Sequence, residues 1–237
     1  MIVKIAVEEV DTIENQSTAN SALILENTVK SVNDFYALFQ VKSTAEGRKQ
    51  DLLRAMLVFA CSGLDAVIKQ LIKDSLAGVI DADQGARQEM VKYVSRSVLQ
   101  KGIGNEPEQN IRQINTDRLA DLLISDNPKR DIVSMHVRNL CSDSLQSKDQ
   151  ILKIASSFAI TSDAIMGDPD TIRTAFMVRN QIIHEMDVDL SDDRNRRERT
   201  EDVIKKYCEE ILLVGKKFIA VVSGKLDRAE KEAGDER

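Results

Sequence analysis

The chain has 237 residues, of which 42% are apolar and only 4% are aromatic, with three Pro, ten Gly and no Trp. A chain of this length can bury a sizeable core, and a composition rich in Leu, Ile, Ala, Lys, Glu and Arg favours helices. The formal net charge of −6 argues against a protein that coats nucleic acid non-specifically, because such binding needs many Lys and Arg side chains to neutralise phosphates.

Membrane, secretion and redox signals are also missing from the sequence. No stretch approaches the roughly 18 uninterrupted apolar residues that a bilayer requires. The first residues, MIVKIAVEEVDTIE, carry acids where a signal peptide has its apolar region. Cys61, Cys141 and Cys208 lie far apart, without the paired spacing of a zinc site or a disulfide framework. We therefore expect a soluble, cytoplasmic protein with reduced cysteines, no cofactor and no membrane association.

Two helices are predicted in the first third of the chain. Apolar residues recur at spacings of three and four over residues 17–40, which is typical of an amphipathic helix. A longer pattern covers residues 46–79, and its middle, LLRAMLVFACSGLDAVIKQLI, is apolar almost all round, which predicts a central, buried helix. Ahead of both, Val3, Ile5 and Val7 alternate as in a strand, but the run is too short to assign.

Shorter helices are predicted through the middle of the chain. Asp81, with Gln84 three residues on, has the pattern of a helix start, and this third helix should run to about residue 101. The segment GIGNEPEQN, residues 102–110, combines Gly, Asn and Pro and predicts a loop. Further helices are expected over residues 116–125, 128–141 and 147–159.

Two more helices complete the pattern. At Asp168, Pro169 and Asp170 an acidic cap, a first-turn proline and a second acid all favour a helix N-terminus. After that helix the segment DVDLSDDRNRRER is dense in charge, which predicts a solvated loop or a frayed helix start. The last helix is predicted over residues 201–229.

The whole pattern predicts a single all-α domain, residues 1–237. The core of this helical bundle should span about residues 46–230, and residues 1–45 should form an N-terminal extension that carries one amphipathic helix. No fixed-period repeat, low-complexity block or linker divides the chain.

The segment RNQIIH, residues 179–184, carries side chains suited to chemistry. His184 is one of only two histidines in the chain, and histidine is the residue type whose ordinary pKa lies near neutrality. Asn180 comes four residues earlier, so its side chain shares a helix face with that of His184. Arg179 and His184 lie roughly 140° apart on a helix with about 100° per residue, so they can bracket one substrate phosphate.

These residue types suit cleavage of RNA by its own 2′-hydroxyl, which needs a base, charge neutralisation and orientation but no metal. His184 would be the general base or acid. Arg179 would hold the phosphate and stabilise the charge that grows on its oxygens. Asn180 would orient His184 or contact the phosphate. Because one helix supplies one histidine and in-line cleavage benefits from a group on each side of the phosphorus, a symmetric dimer would supply the second set.

The motif and its setting resemble the HEPN superfamily of ribonucleases and RNA-binding domains. In that family an Arg, usually followed by a polar residue, is separated from a His by four to six residues, and RNQIIH has four between. The helix around RAMLVFACSGLDAVIKQLI is similar to the helix that opens the core in members of the RiboL-PSP type, where the family often has an acidic or polar residue at the position of Asp65. The resemblance covers about residue 46 to the end.

The resemblance implies a HEPN-type bundle with extra helices that forms a homodimer with its two motifs facing each other. It implies a metal-independent endoribonuclease with Arg179, Asn180 and His184 as catalytic residues and Asp65 as a supporting residue. It also implies a role in toxin systems, phage defence or RNA processing, with a neutralising partner protein as a further expectation. Met186 departs from members silenced by a nucleotidyltransferase, which have Tyr there, so tyrosine modification is not expected.

Charged residues that follow the motif are further candidates. Arg194, Arg196 and Arg197 would either guide RNA or form a solvated face. The nearby acids lack the residue order and turn glycine of an EF-hand, so no metal site is predicted. These acids are Asp187, Asp189, Asp192 and Asp193.

Structural roles are the alternative for each candidate. Arg179 would then pair with an acid such as Glu185 or Asp187. Asp65 lies on an otherwise apolar face, where an unpaired carboxylate is costly, so it must find a partner. His136, in MHVRNL, is predicted to pack on the core. At the level of function, the alternative to the nuclease is a non-catalytic helical module that binds RNA or a protein partner.

Overall fold

Helices make up the regular structure of the residues that the computed structural model describes, 15–98, 124–191 and 194–235. They are α1 (Gln16–Phe39), α2 (Glu46–Ala82), α3 (Gln84–Val98), α4 (Pro128–Cys141), α5 (Lys148–Ser157), α6 (Ser162–Ile165), α7 (Pro169–Glu185) and α8 (Glu201–Asp235). Within these ranges there is no strand, and an isolated antiparallel bridge joins Val188 to Arg196. The predicted all-α class is confirmed.

α2 is the central helix of the bundle. Its apolar residues are buried around most of its circumference, with Leu57, Leu64 and Leu71 all 0% exposed. α1 and α8 cover it along its length and also contact each other, while α3, α4 and α7 pack on its remaining sides. By length and composition α2 could cross a membrane, but 56% of its most apolar window is buried inside the protein. The prediction of a central, buried helix is confirmed.

α1 packs on α2 more extensively than any other described pair of helices. Its buried stripe includes Leu25, Val32 and Tyr36, all of which belong to the main hydrophobic core. The two helices approach closely where Thr28 faces Gly63. The helix that the sequence pattern assigned to an N-terminal extension is therefore part of the central layer.

The junction between α2 and α3 differs from the prediction. Asp81 lies in the last turn of α2, which continues to Ala82. The cap of α3 is Asp83, whose Oδ1 accepts a hydrogen bond from the backbone N–H of Ala86 at 2.8 Å. The central helix is longer than its apolar pattern because Asp81 is exposed and α2 tolerates a charge on its outer face. The predicted start at Asp81 is wrong by two residues.

Other helix starts follow the capping signals in the sequence. Ser147 caps α5, with its Oγ accepting from the Gln150 N–H at 3.3 Å. Asp168 caps α7, with Oδ1 accepting from the N–H groups of Asp170 at 3.1 Å and Thr171 at 3.2 Å. Side-chain caps satisfy N–H groups that have no partner in the first turn of a helix. The predicted starts of α5 and α7 are confirmed.

Some predictions concern other parts of the chain. The alternation at Val3, Ile5 and Val7, the loop over residues 102–110 and most of the helix over 116–125 lie outside the described residues. α6 has no counterpart in the sequence pattern, because a single turn is too short for an apolar period to be measured.

Candidate active site

α7 presents one face to the core and the opposite face to a cavity. Ile172, Ala175 and Phe176 are buried in the core. On the open side, Asn180 is half-buried and His184, one turn later, is exposed. Both line a cavity of about 560 Å³ between α7 and the start of α5. Asn180 and His184 thus share one face of α7, as predicted, and that face is open to solvent.

Arg179 lies behind this face. Its side chain is half-buried, and it does not line the cavity with Asn180 and His184. Its Nη1 donates to Asn180 Oδ1 at 3.0 Å, which fixes the orientation of the Asn180 amide. The Arg179 charge also acts on Cys61 of α2, where burial raises the thiol pKa to about 12 and the guanidinium opposes that rise.

The Arg179 guanidinium has no carboxylate partner among the described residues. The two acids proposed as its partners are engaged elsewhere: Glu185 with Arg197 at 3.1 Å, and Asp187 with Arg54 and Arg199. The Nε of Arg179 is buried and makes no hydrogen bond with any residue that the structure describes. Arg179 therefore pairs with neither Glu185 nor Asp187, the two acids that the structural alternative named. A half-buried cation without a counter-ion is costly, so it favours an anion at this position.

Both signs of charge line the cavity. Lys148, in the first turn of α5, forms no ion pair within the described residues. Arg173 lies on α7 about two turns before Asn180. It pairs with Asp170 at 3.3 Å, and because both side chains are exposed the pair contributes little to stability. Asp149 and Glu185 are the acids, and Arg197 offsets the charge of Glu185. The positive charge available to a ligand therefore comes from Lys148, Arg173 and the neighbouring Arg179.

Asp65 lies outside the cavity and supports its wall. Its Oδ1 accepts a hydrogen bond from the backbone N–H of Leu145 at 2.7 Å, and its Oδ2 pairs with Lys69 at 2.9 Å. Leu145 directly precedes Gln146, which lines the cavity. Asp65 thus has the partners that an acid in apolar surroundings requires, a backbone N–H group and a lysine. It contacts the cavity only indirectly, through Leu145.

The three candidate RNA-binding arginines are in different environments. Arg196 pairs with Asp51 at 2.8 Å, and Arg197 pairs with Glu185 at 3.1 Å. Arg194 is exposed, has a left-handed backbone with φ 59°, and forms no ion pair with any described residue. Of the three side chains, that of Arg194 is the most available to a phosphate.

A buried charge cluster behind the end of α7 was not predicted. Asp187 is 0% exposed, and its Oδ2 accepts from Arg54 Nε at 2.7 Å and from Arg199 Nε at 3.0 Å. Burial by itself raises the pKa of Asp187, but hydrogen bonds and charge from Arg199 and Arg54 hold it below its ordinary value. One signal was available in the sequence: Arg54 interrupts the apolar face of α2 and had to find an acid.

Two further groups complete the account of the candidate residues. Among the described residues no cluster of three or more His, Cys, Asp or Glu side chains could hold a metal ion, and Asp192 and Asp193 lie outside them. His136 is 6% exposed and packs on Tyr93 with ring centroids 3.9 Å apart, so the prediction that it packs on the core is confirmed.

Comparison of the chain with protein-family models, curated proteins and solved structures found no match. The inference of a function therefore depends on the residues of α7 and the side chains around them.

Proposed function

We propose that this protein is a metal-independent endoribonuclease of the HEPN type, with its active site on α7. The observation that carries the proposal is the half-buried guanidinium of Arg179, which has no carboxylate partner among the described residues and is joined through Asn180 to the cavity that His184 lines. A phosphate would supply the missing negative charge, and Arg suits phosphate because its donors are arranged as a fork. His184 is the neighbouring group that can move a proton.

The reaction that fits these groups is an intramolecular transesterification of the RNA phosphodiester. The 2′-oxygen attacks the adjacent phosphorus, the bond from phosphorus to the 5′-oxygen breaks, and the products are a 2′,3′-cyclic phosphate and a 5′-hydroxyl. The proton lost by the 2′-hydroxyl goes to a base, and an acid protonates the leaving 5′-oxygen. His184 takes one of these roles, and Arg179 stabilises the charge on the phosphate oxygens in the transition state.

A second copy of the chain would supply the other proton-transfer group. We propose a homodimer in which the α7 helices of two copies face each other. Exposed apolar side chains surround the site on α7 and the loop after it, and burying them would stabilise such a contact. They are Met177, Ile183, Met186 and Leu190, each at least 39% exposed.

One observation favours a second candidate, a helical module that binds RNA or a protein without cutting. Arg179 does not line the cavity that Asn180 and His184 line. Cleavage as proposed needs one phosphate to contact both Arg179 and His184, although Arg179 lies outside the cavity lining. A purely binding role does not require both side chains to contact one phosphate.

Cleavage of a labelled RNA in a metal chelator tests the proposal. The wild-type protein should produce ends that carry cyclic phosphate, and His184→Ala and Arg179→Ala should each lower the rate at least about 100-fold. Arg138→Ala is the matched control, because Arg138 is an exposed arginine on α4. Intact RNA with retained binding would favour the second candidate, and intact RNA without binding would refute both the nuclease and an RNA-binding module.

Growth of cells that express the chain tests the biological setting. We propose that the protein acts in the cytoplasm in phage defence, as a toxin or in RNA processing, and that a partner protein can restrain it. An active nuclease should slow growth, and His184→Ala and Arg179→Ala should relieve that effect at equal protein levels. Equal growth inhibition by all three proteins would contradict a nuclease mechanism.

A further inference from the structure

The end of α7 has a backbone conformation that needs support. Met186 and Asp187 both have left-handed φ angles, 52° and 61°, and neither is glycine. The N–H groups of Met186 and Asp187 both donate to the carbonyl of Gln181, five and six residues back, and the bond from Asp187 is 3.0 Å long. Successive left-handed residues with a Cβ are unfavourable and persist only where their surroundings hold them.

The carboxylate of Asp187 supplies that support from inside the protein. It binds Arg54 on α2 and Arg199 in the segment before α8. Arg54 also donates through Nη2 to the carbonyl of Arg197 at 2.7 Å, and the N–H of Arg197 donates to the carbonyl of Asp187 at 2.8 Å. Gln50 exchanges two hydrogen bonds with the backbone of Arg199. The last turn of α7 is thereby tied to α2 and to the approach to α8.

The same cluster contacts the wall of the cavity. Nη2 of Arg199 donates to Oε1 of Gln181 at 3.0 Å, and Gln181 lines the cavity together with His184. His184 lies in the turn between Gln181 and Asp187, so both ends of that turn are held by Arg199. An exposed last turn of a helix otherwise frays, because its carbonyl groups have no partners within the helix.

We propose that Asp187 is a positioning residue, which acts through Arg54 and Arg199 to hold the His184 imidazole in place. Its consequence for catalysis rests on the proposed nuclease function, whereas its effect on the conformation of His184 does not. Replacing Asp187 with Asn keeps the shape of the side chain and removes the charge, which leaves the buried Arg54 paired only with the exposed Asp51 and the half-buried Arg199 without a carboxylate among the described residues. The turn should then loosen, and His184 should sample more than one orientation.

The imidazole signals in an NMR spectrum report directly on this conformation. Only His136 and His184 contribute such signals, and His136→Gln identifies which is which. In Asp187→Asn the His184 signals should shift and broaden, while those of His136, buried near α3, should stay as in the wild type. Asp51→Asn is the matched control, because Asp51 also pairs with Arg54 but is 58% exposed, and it should leave both sets unchanged.

Unchanged His184 signals in a folded Asp187→Asn protein would overturn the proposal. If that variant does not fold, Arg199→Lys takes its place, since lysine keeps the charge but loses the fork that joins Asp187 to Gln181. The His184 signals should shift there as well, and unchanged signals would overturn the proposal in the same way.

Kinetics separate positioning from binding once the wild-type protein is found to cleave RNA. Displacement of a proton-transfer group by about 1 Å can lower a rate on the order of 100-fold. We therefore expect Asp187→Asn to lower kcat between about 10-fold and 100-fold, with KM changed by less than about 3-fold. A rise in KM alone would overturn the positioning role. Wild-type protein that fails to cleave would refute the nuclease, and the NMR comparison would still decide whether Asp187 positions His184.

Discussion

Replacement of Gly63 by Ala tests the close packing of the two helices at the centre of the bundle. A Cβ at Gly63 would lie 2.1 Å from Cγ2, 2.4 Å from Oγ1 and 2.7 Å from Cβ of Thr28. Rotation of the Thr28 side chain can move Cγ2 and Oγ1, but its Cβ is fixed to the backbone of α1. Ordinary van der Waals contact begins at 3.4 Å, so the helices must separate locally by the difference from 2.7 Å, about 0.7 Å.

Two opposing effects set the magnitude. Ala is favoured over Gly in a helix interior by about 1 kcal/mol. Overpacking costs up to about 3 kcal/mol, and the upper end applies because a helix backbone must move and no flexible side chain can give way. The net destabilisation of Gly63→Ala should therefore be about 2 kcal/mol, which lowers Tm by about 4–8 °C in a chain of this size.

Urea denaturation followed by circular dichroism measures the free energy of unfolding, and two other glycines provide controls. Added Cβ atoms at Gly47 in α2 and Gly224 in α8 would meet nothing within 4 Å. Their Ala variants should be neutral or more stable by up to about 1 kcal/mol. Adding Thr28→Gly to Gly63→Ala removes all three contacted atoms, so a double-mutant cycle should give a favourable coupling of at least about 1 kcal/mol. Gly63→Ala as stable as Gly224→Ala would refute the reasoning.

Three further predictions follow from single side chains. Burial, with a smaller effect of Lys153, lowers the pKa of His136 from 6.5 to about 4. Between these two pH values the unfolded chain binds more protons than the folded one, so the free energy of unfolding should fall by about 3 kcal/mol as the pH drops from 6.5 to 4. Urea titrations of His136→Phe should lack this pH dependence. Asp65→Ala should cost about 1–2 kcal/mol because the Leu145 N–H loses its acceptor, whereas Asp65→Asn, which keeps an acceptor oxygen, should cost less in the same assay. Arg194→Ala should lower the slope of log affinity against log salt for single-stranded RNA by about 0.7, and an unchanged slope would exclude a phosphate contact there.

The local pattern of the sequence determined most of the helices. Apolar periodicity of three and four residues located α1 and α2, and the capping residues Ser147 and Asp168 located the starts of α5 and α7. These signals are readable because each depends on residues within a few positions of one another. The same locality placed Asn180 and His184 on one face of α7.

Contacts between distant residues were decided only by the tertiary structure. Spacing along α7 cannot say that Arg179 is absent from the cavity lined by Asn180 and His184, because that depends on which helices pack beside each face. The cap at Asp83, two residues beyond the predicted one, could not be located from the apolar pattern, because Asp81 and Ala82 at the end of α2 are exposed.

The charged segment after α7 shows the same division most clearly. By composition it reads as a solvated loop, yet Asp187 is fully buried because Arg54, 133 residues earlier in the chain, lies beside it in the fold. The sequence of a segment shows how many charged side chains it carries but not which of them form ion pairs, because pairing depends on distance in space and on exclusion of water. The sequence by itself thus determined the helices and the spacing of the motif, and the packing of α2, α7 and α8 decided which of the described charges are paired.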